Sequence, residues 1–329
     1  MVYRAMKREA LIVAAMTALM LLTGAIALPA HGQVPHNTWT TGTAMPKAVT
    51  YGAAAVLKAH IYVIGGNDAP GHTAGGVISD VQIYDPVTET WSMGTPFPTP
   101  IEAASAAVVK GVLYVFGGST DASTPTNAVW AFNAKKKTWT AMAPMPTARW
   151  GTEAVVQKTT NIVFLIGGDV NTSGNGNVAN VESYNPATNT WTTEAPMLVA
   201  KGQSAAGLIG TKIVVADGFT NGGGTTGDTE AYDPTTNTWT TVASNPAGNR
   251  GAACNASIGP KLYDIGGANA PNITESFQLS KNKWTTTLMP VPQSIFFPAS
   301  AVYKGELYCL GGWPSWLGTP QNNVQIYKP

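Results

Sequence analysis

Charge is what this sequence has least of. Asp, Glu, Lys and Arg make up 11% of its 329 residues, under half the usual ~25%, which excludes a coiled coil, a charged disordered tail and a solvated helical surface. Beyond Arg4 and Arg8, arginine occurs only at Arg149 and Arg250. With 19 basic residues against 18 acidic ones there is no cationic surplus for phosphates, so a nucleic-acid partner is excluded. All four histidines precede residue 73, and the only cysteines are Cys254 and Cys309, so no zinc spacing exists. An Asp-rich calcium loop, a phosphate-binding glycine loop and a Gly-x-Ser-x-Gly elbow are also missing. No metal or cofactor is expected. After residue 32 no stretch carries the 3.6-residue period of an amphipathic helix, which leaves an all-β chain.

The one long apolar run is N-terminal. Arg4, Lys7 and Arg8 precede an uncharged stretch from Ala10 to Ala30, the order of a secretory signal, with cleavage after Gly32 as the best-fitting site. The expected organisation is a signal peptide over residues 1–32 and one domain over 33–329, secreted or periplasmic and off the membrane once cleaved. The alternative is an uncleaved anchor, since 21 uncharged residues are long enough to span a bilayer. Export permits a Cys254–Cys309 disulfide, though two half-buried thiols in strands fit the sequence equally.

What the chain has in abundance is glycine, tryptophan and repetition. Trp39, Trp91, Trp139, Trp191, Trp239 and Trp284 recur at spacings of 52, 48, 52, 48 and 45. Glycine pairs recur at Gly65-Gly66, Gly117-Gly118, Gly167-Gly168, Gly266-Gly267 and Gly311-Gly312, with Asp217-Gly218 in the remaining slot. Tyr84, Phe132, Tyr184, Tyr232 and Phe277 each stand seven residues before a Trp, and Tyr327 comes just before the chain ends. Each unit reads as four short strands, for example residues 104–109, 112–116, 129–132 and the strand holding Trp139. Turns such as Asp85-Pro86-Val87-Thr88 join the third to the fourth.

Six such units without exposed ends imply a ring, a six-bladed β-propeller of four-stranded antiparallel blades. The glycine pairs mark where the second strand runs into the next blade and side chains would collide. Residues 38–41 supply a lone fourth strand and residues 323–327 a final third strand, so the N-terminal strand is expected to close the last blade. A monomer is the simplest reading.

The order of glycine pair, Tyr-Asp-Pro and Trp, as in Gly65-Gly66, Tyr84-Asp85-Pro86 and Trp91, resembles the Kelch repeat across six units. The departures are Asp217-Gly218, Phe132-Asn133-Ala134 and Phe277-Gln278-Leu279. Copper-radical sugar oxidases are also Kelch propellers, but their two His ligands and Cys–Tyr crosslink have no match here.

The loops after the second strand, which emerge on the same face as those before the first, vary in length, whereas the aromatic-to-Trp spacing does not, and binding is expected where loops vary. This face collects Asp68, His72, Asp169, Phe219, Trp313 and Trp316 from one loop set. The other contributes Tyr51, Glu102, Arg149, Trp150, Glu153, Gln203, Asn249, Arg250, Phe296 and Phe297. Flat rings beside amides and carboxylates suit a carbohydrate or a protein segment, although the same rings are suited to plugging the end of a channel. A binding module is the expectation, with Tyr51, Asp68, Trp150, Asp169, Arg250, Phe296, Trp313 and Trp316 as candidate contacts. Resemblance to exported sialic-acid mutarotases (N-acetylneuraminate epimerase) implies a second reading. In it Arg149 and Glu153 open a sugar ring by acid/base catalysis, despite the shortage of guanidiniums for an acidic sugar. A structural surface protein is the third.

Overall fold

The computed structural model describes residues 36–171, 175–248 and 250–329. The expected signal segment, 1–32, and Asn249 lie outside the described residues. Asn37–Pro329 form one unit, an all-β ring of six four-stranded antiparallel sheets. The first blade runs from the axis outward through Ala53–Leu57, His60–Ile64, Val81–Asp85 and Thr90–Met93. The sixth is made of Ala299–Tyr303, Glu306–Leu310, Val324–Lys328 and, as its outer strand, Thr38–Thr41 from the other end of the chain. That pairing closes the ring as the sequence implied. Among the described residues the only helices are the 3-10 turns Ala74–Gly76 and Leu279–Lys281, and no helix is long and apolar enough to cross a membrane.

The repeat residues act at the seams. Each Trp lies across from its aromatic partner on the third strand, as in Tyr84↔Trp91 and Tyr184↔Trp191, with ring centroids 4.9 Å apart in both pairs. Its indole N–H reaches back to a carbonyl of the preceding unit: Trp91 to Thr43 at 2.8 Å, Trp191 to Ala143 at 2.9 Å, Trp239 to Ala195 at 2.9 Å. Trp39 does the same across the closure, to Met289 at 3.0 Å. The apolar body of each ring fills the wedge between blades while its one donor is satisfied.

The second glycine of each pair donates to the loop entering the next blade, as in Gly168 N–H to Lys201 at 3.0 Å and Gly312 N–H to Val49 at 2.7 Å. Gly167 has φ +60, and a Cβ there would collide with the carbonyl oxygen of Lys201, so close approach and backbone conformation both require glycine. Asp217 occupies the corresponding position at φ +57.

Cys254 and Cys309 form a disulfide, resolving the two alternatives left by the sequence. It ties the inner strand Cys254–Ile258 of the fifth blade to Glu306–Leu310 of the sixth.

Candidate functional site

Just before each inner strand, one residue is left-handed: Tyr51, Ala103, Gly151, Gln203, Ala252 and Phe297, with φ between 47° and 59°. Their amides form a closed circle in which each N–H donates to the carbonyl of the preceding blade's member at 2.8–2.9 Å, ending with Tyr51 to Phe297. This collar surrounds the axis. Its side chains, large at Tyr51, Gln203 and Phe297 and small at the other three, set what the axial opening presents.

Above the collar is a mouth of about 210 Å³ lined by Tyr51, Trp150, Asp169, Asn177, Gln203, Phe219, Phe297 and Trp316. The loop pairings Trp150↔Asp169 and Gly202↔Phe219 put both loop sets on this one face. Tyr51 packs on Phe297 at 4.1 Å and on Trp150 at 6.3 Å between ring centres. Phe219 and Phe297 are parallel at 6.2 Å. Trp316, 53% exposed, leans on Phe297 and Phe219 at 5.6 and 6.1 Å. Asp169 accepts from the Asn171 amide at 2.8 Å, and burial raises its pKa. Burial, followed by the nearby Glu102 charge, pushes Tyr51 well above the ordinary phenol value.

Four sequence candidates therefore meet at the mouth: Tyr51, Trp150, Asp169 and Trp316. The others are placed elsewhere. Trp313 is 1% exposed and stands edge-on behind Tyr51 and Phe297 at 5.5 and 5.6 Å, so it supports the mouth from within. Phe296 is buried beneath Trp316. Asp68 sits beside Lys47 at 3.3 Å, outside the mouth lining.

The two arginines are corrections. Arg149 is wholly buried. Its guanidinium donates to Glu182 at 2.8 Å and to the carbonyls of Gly167 and Asn180 at 2.6 and 3.1 Å, so its charge partner is Glu182 and not Glu153. Arg250 is equally buried, held by Asp264 at 2.8 Å and Glu275 at 2.7 Å. Lys201 repeats the arrangement with Glu230 at 3.3 Å. All three cations bind their own blade together, because a buried charge is tolerated only when paired. Glu153 instead faces the axial channel below the collar.

Sequence reasoning placed His72 and Glu102 on this face without pairing them. His72 Nε2 lies 2.7 Å from the buried Glu102 carboxylate, whose other oxygen accepts from Asn67 Nδ2 at 2.9 Å. The imidazole stacks on Trp150 at 6.1 Å, locking the first blade's loop against the mouth wall. The two are 30 residues apart with no local signal linking them.

A ring of six four-stranded blades, each stapled by a Trp and all but one by a glycine pair, with a concave aromatic mouth on the loop face, defines a Kelch-type propeller. The chain belongs to the Kelch-repeat family: the KLHDC2/KLHL20/DRC7 Kelch-repeats domain matches residues 33–145 and 105–312. Kelch-like protein terF of Aspergillus terreus is 28% identical over 94% of this chain and 72% of its own length. Human Kelch-like protein 23 is 27% identical over 77% of this chain, which spans only 44% of that protein. The solved structure of YjhT superposes with a TM-score of 0.72 at 16% identity, covering 86% of this chain and 95% of YjhT. At that identity the likeness is one of fold.

Proposed function

We propose that the protein is an exported, noncatalytic, monomeric binding module that holds a segment of a protein partner, one side chain of which enters the aromatic mouth. The observation that carries this reading is the apolar rim. Exposed Trp316, with Phe219 and Phe297 beside it, lines a concavity of about 210 Å³, room for one inserted group with further contact around it. Kelch propellers commonly bind protein partners, which agrees with this reading. Export accords with the N-terminal apolar segment and with the Cys254–Cys309 disulfide.

A sugar ring fits the same mouth, because stacked aromatics beside Asn177, Asp169 and Gln203 offer an apolar face and hydrogen-bonding edges. The ring-opening enzyme is less well supported, since Arg149 is committed to Glu182 and is not available to clamp a carboxylate. A thermal-shift screen of the full chain against short aromatic peptides and against neutral and acidic sugars separates these readings. A saturable shift with peptides, lost in Trp316→Ala, supports the proposal. A shift confined to sugars replaces it with carbohydrate binding. No shift with either class removes the mouth as a ligand site.

A further inference from the structure

Below the collar the six inner strands enclose an axial channel of about 360 Å³. It shares Tyr51, Gly151, Gln203 and Phe297 with the mouth but has a different character. Its wall is mostly small: Ala53, Ala54, Ala106, Ala154 and Ala206 with serines between them. Ser105, Thr152, Asn255 and Ser300 stitch neighbouring strands together along it. Ser105 Oγ hydrogen-bonds to Thr152, Asn255 accepts from the Ala206 amide at 3.2 Å, and Ser300 Oγ accepts from the Asn255 amide at 3.1 Å. Among the described residues, the Glu153 side chain makes neither a hydrogen bond to a neighbouring strand nor an ion pair, although its backbone pairs with Ile166.

The strand registers show how unusual that residue is. The inner-strand residue opposite the end of the second strand is Ala53 (facing Ile64), Ser105 (Phe116), Ala205 (Ala216), Cys254 (Ile265) and Ala299 (Leu310) in five blades. In the third blade it is Glu153, facing Ile166. A carboxyl stands where the repeat otherwise packs a small side chain, in a position that disfavours its charge. Burial, with a smaller contribution from the Asp264 charge, raises it to about 8, so the fold holds an acid ready to ionise against an incoming positive charge.

Among the described residues no internal cation answers it. Arg149, Lys201 and Arg250 are paired inside the blades. The titratable residues of the channel wall are Tyr51, Glu153 and Lys158, and Lys158 is exposed, beyond the end of the strand Glu153–Gln157. Five residues of extended chain put it about 16 Å along the axis. One carboxyl cannot enclose a metal ion, and no metal-ligating cluster occurs among the described residues. A carboxyl at one point of a channel walled by methyl groups matches a ligand with one ammonium and an apolar body.

We propose that the channel beneath the collar is a binding site for a small organic amine, its ammonium held by the Glu153 carboxyl and its carbon skeleton by the alanine wall. The site does not depend on what occupies the mouth.

The test is calorimetric titration of the full chain with cyclohexylamine and with cyclohexanol, its neutral analogue, at pH 7 in two buffers of different ionisation enthalpy. The expected results are at least tenfold tighter binding of the amine and release of close to one proton per amine bound, because a protonated Glu153 ionises when paired. Glu153→Gln should erase both the preference and the proton release. Equal affinity for the two probes, amine binding without proton release, or an undiminished preference in Glu153→Gln would each overturn the site. The proton count is read on the unaltered protein, so the result does not depend on the variant folding.

Discussion

The amide of Tyr51 donates to the carbonyl of Phe297 at 2.9 Å while their rings pack 4.1 Å apart, joining the first blade's entrance to the last one's. The same two residues close the collar of backbone hydrogen bonds and form the floor of the aromatic mouth. Ring closure and site formation are thus one event. The outer strand Thr38–Thr41, paired with Val324–Lys328, fixes the same seam from the rim.

Trp313 and Trp316 are three residues apart in one loop and should behave differently. Trp313→Ala, which empties a fully buried site, is expected to cost about 3 to 5 kcal/mol, read as a lowered denaturation midpoint. Trp316→Ala should leave that midpoint nearly unchanged and weaken only ligand binding.

Gly167 and Gly210 have nearly the same φ, +60 and +62, but only Gly167 faces a neighbouring blade, whereas nothing lies near a Cβ at Gly210. Gly210→Ala should cost about 1 kcal/mol, the strain of a left-handed alanine. Gly167→Ala adds a collision with the backbone of Lys201 and should cost more than about 3 kcal/mol or prevent folding. Urea titrations of the two variants measure the difference.

The disulfide spans 55 residues of sequence, a loop whose closure entropy corresponds to about 4 kcal/mol. Replacing both cysteines with alanine should lower stability by up to that amount while leaving the far-ultraviolet circular dichroism of the native blades intact. Chemical denaturation with and without reductant gives the same comparison on the unaltered chain.

Of the carboxyls that burial raises, Glu153 and Asp217 carry the largest shifts and dominate the pH dependence. Glu153 is held near 8 by burial and then by Asp264. Asp217 is raised well above the ordinary carboxyl range by burial, then by a hydrogen bond to Asp264 and by that neighbour's charge, against the lowering pull of Arg250. Above the ordinary carboxyl range the folded state keeps protons that the unfolded chain has lost, so stability falls as pH rises from about 4 toward these values. Glu153→Gln is expected to leave stability at pH 4 nearly unchanged and to raise it by up to about 4 kcal/mol at pH 8. Denaturant titrations at the two pH values check the sign.

The ring was legible because its determinants are local and repeated. Trp191 lies seven residues after Tyr184 since both belong to adjacent strands of one hairpin, and Gly167-Gly168 recurs wherever a strand meets the next blade. Composition and loop length alone also marked the loop face, and Tyr51, Trp150, Asp169 and Trp316 do meet there. The side chains that misled were those whose partners are distant in sequence. Arg149 stands near Glu153 in the chain, yet its guanidinium finds Glu182 on the third strand of its own blade. Trp313 and Trp316 share a loop, and one is core while the other is rim.

Sequence by itself determined the number of blades, the closure and the face, because strand period, turn chemistry and interblade packing act over a few residues and repeat six times. Only the tertiary structure decided which charges are neutralised, which rings are exposed, that Cys254 meets Cys309, and that Glu153 is left unpaired in a channel. Those outcomes depend on which blades the ring brings side by side, and burial gives each charge and each ring a role that its neighbours in the chain do not specify.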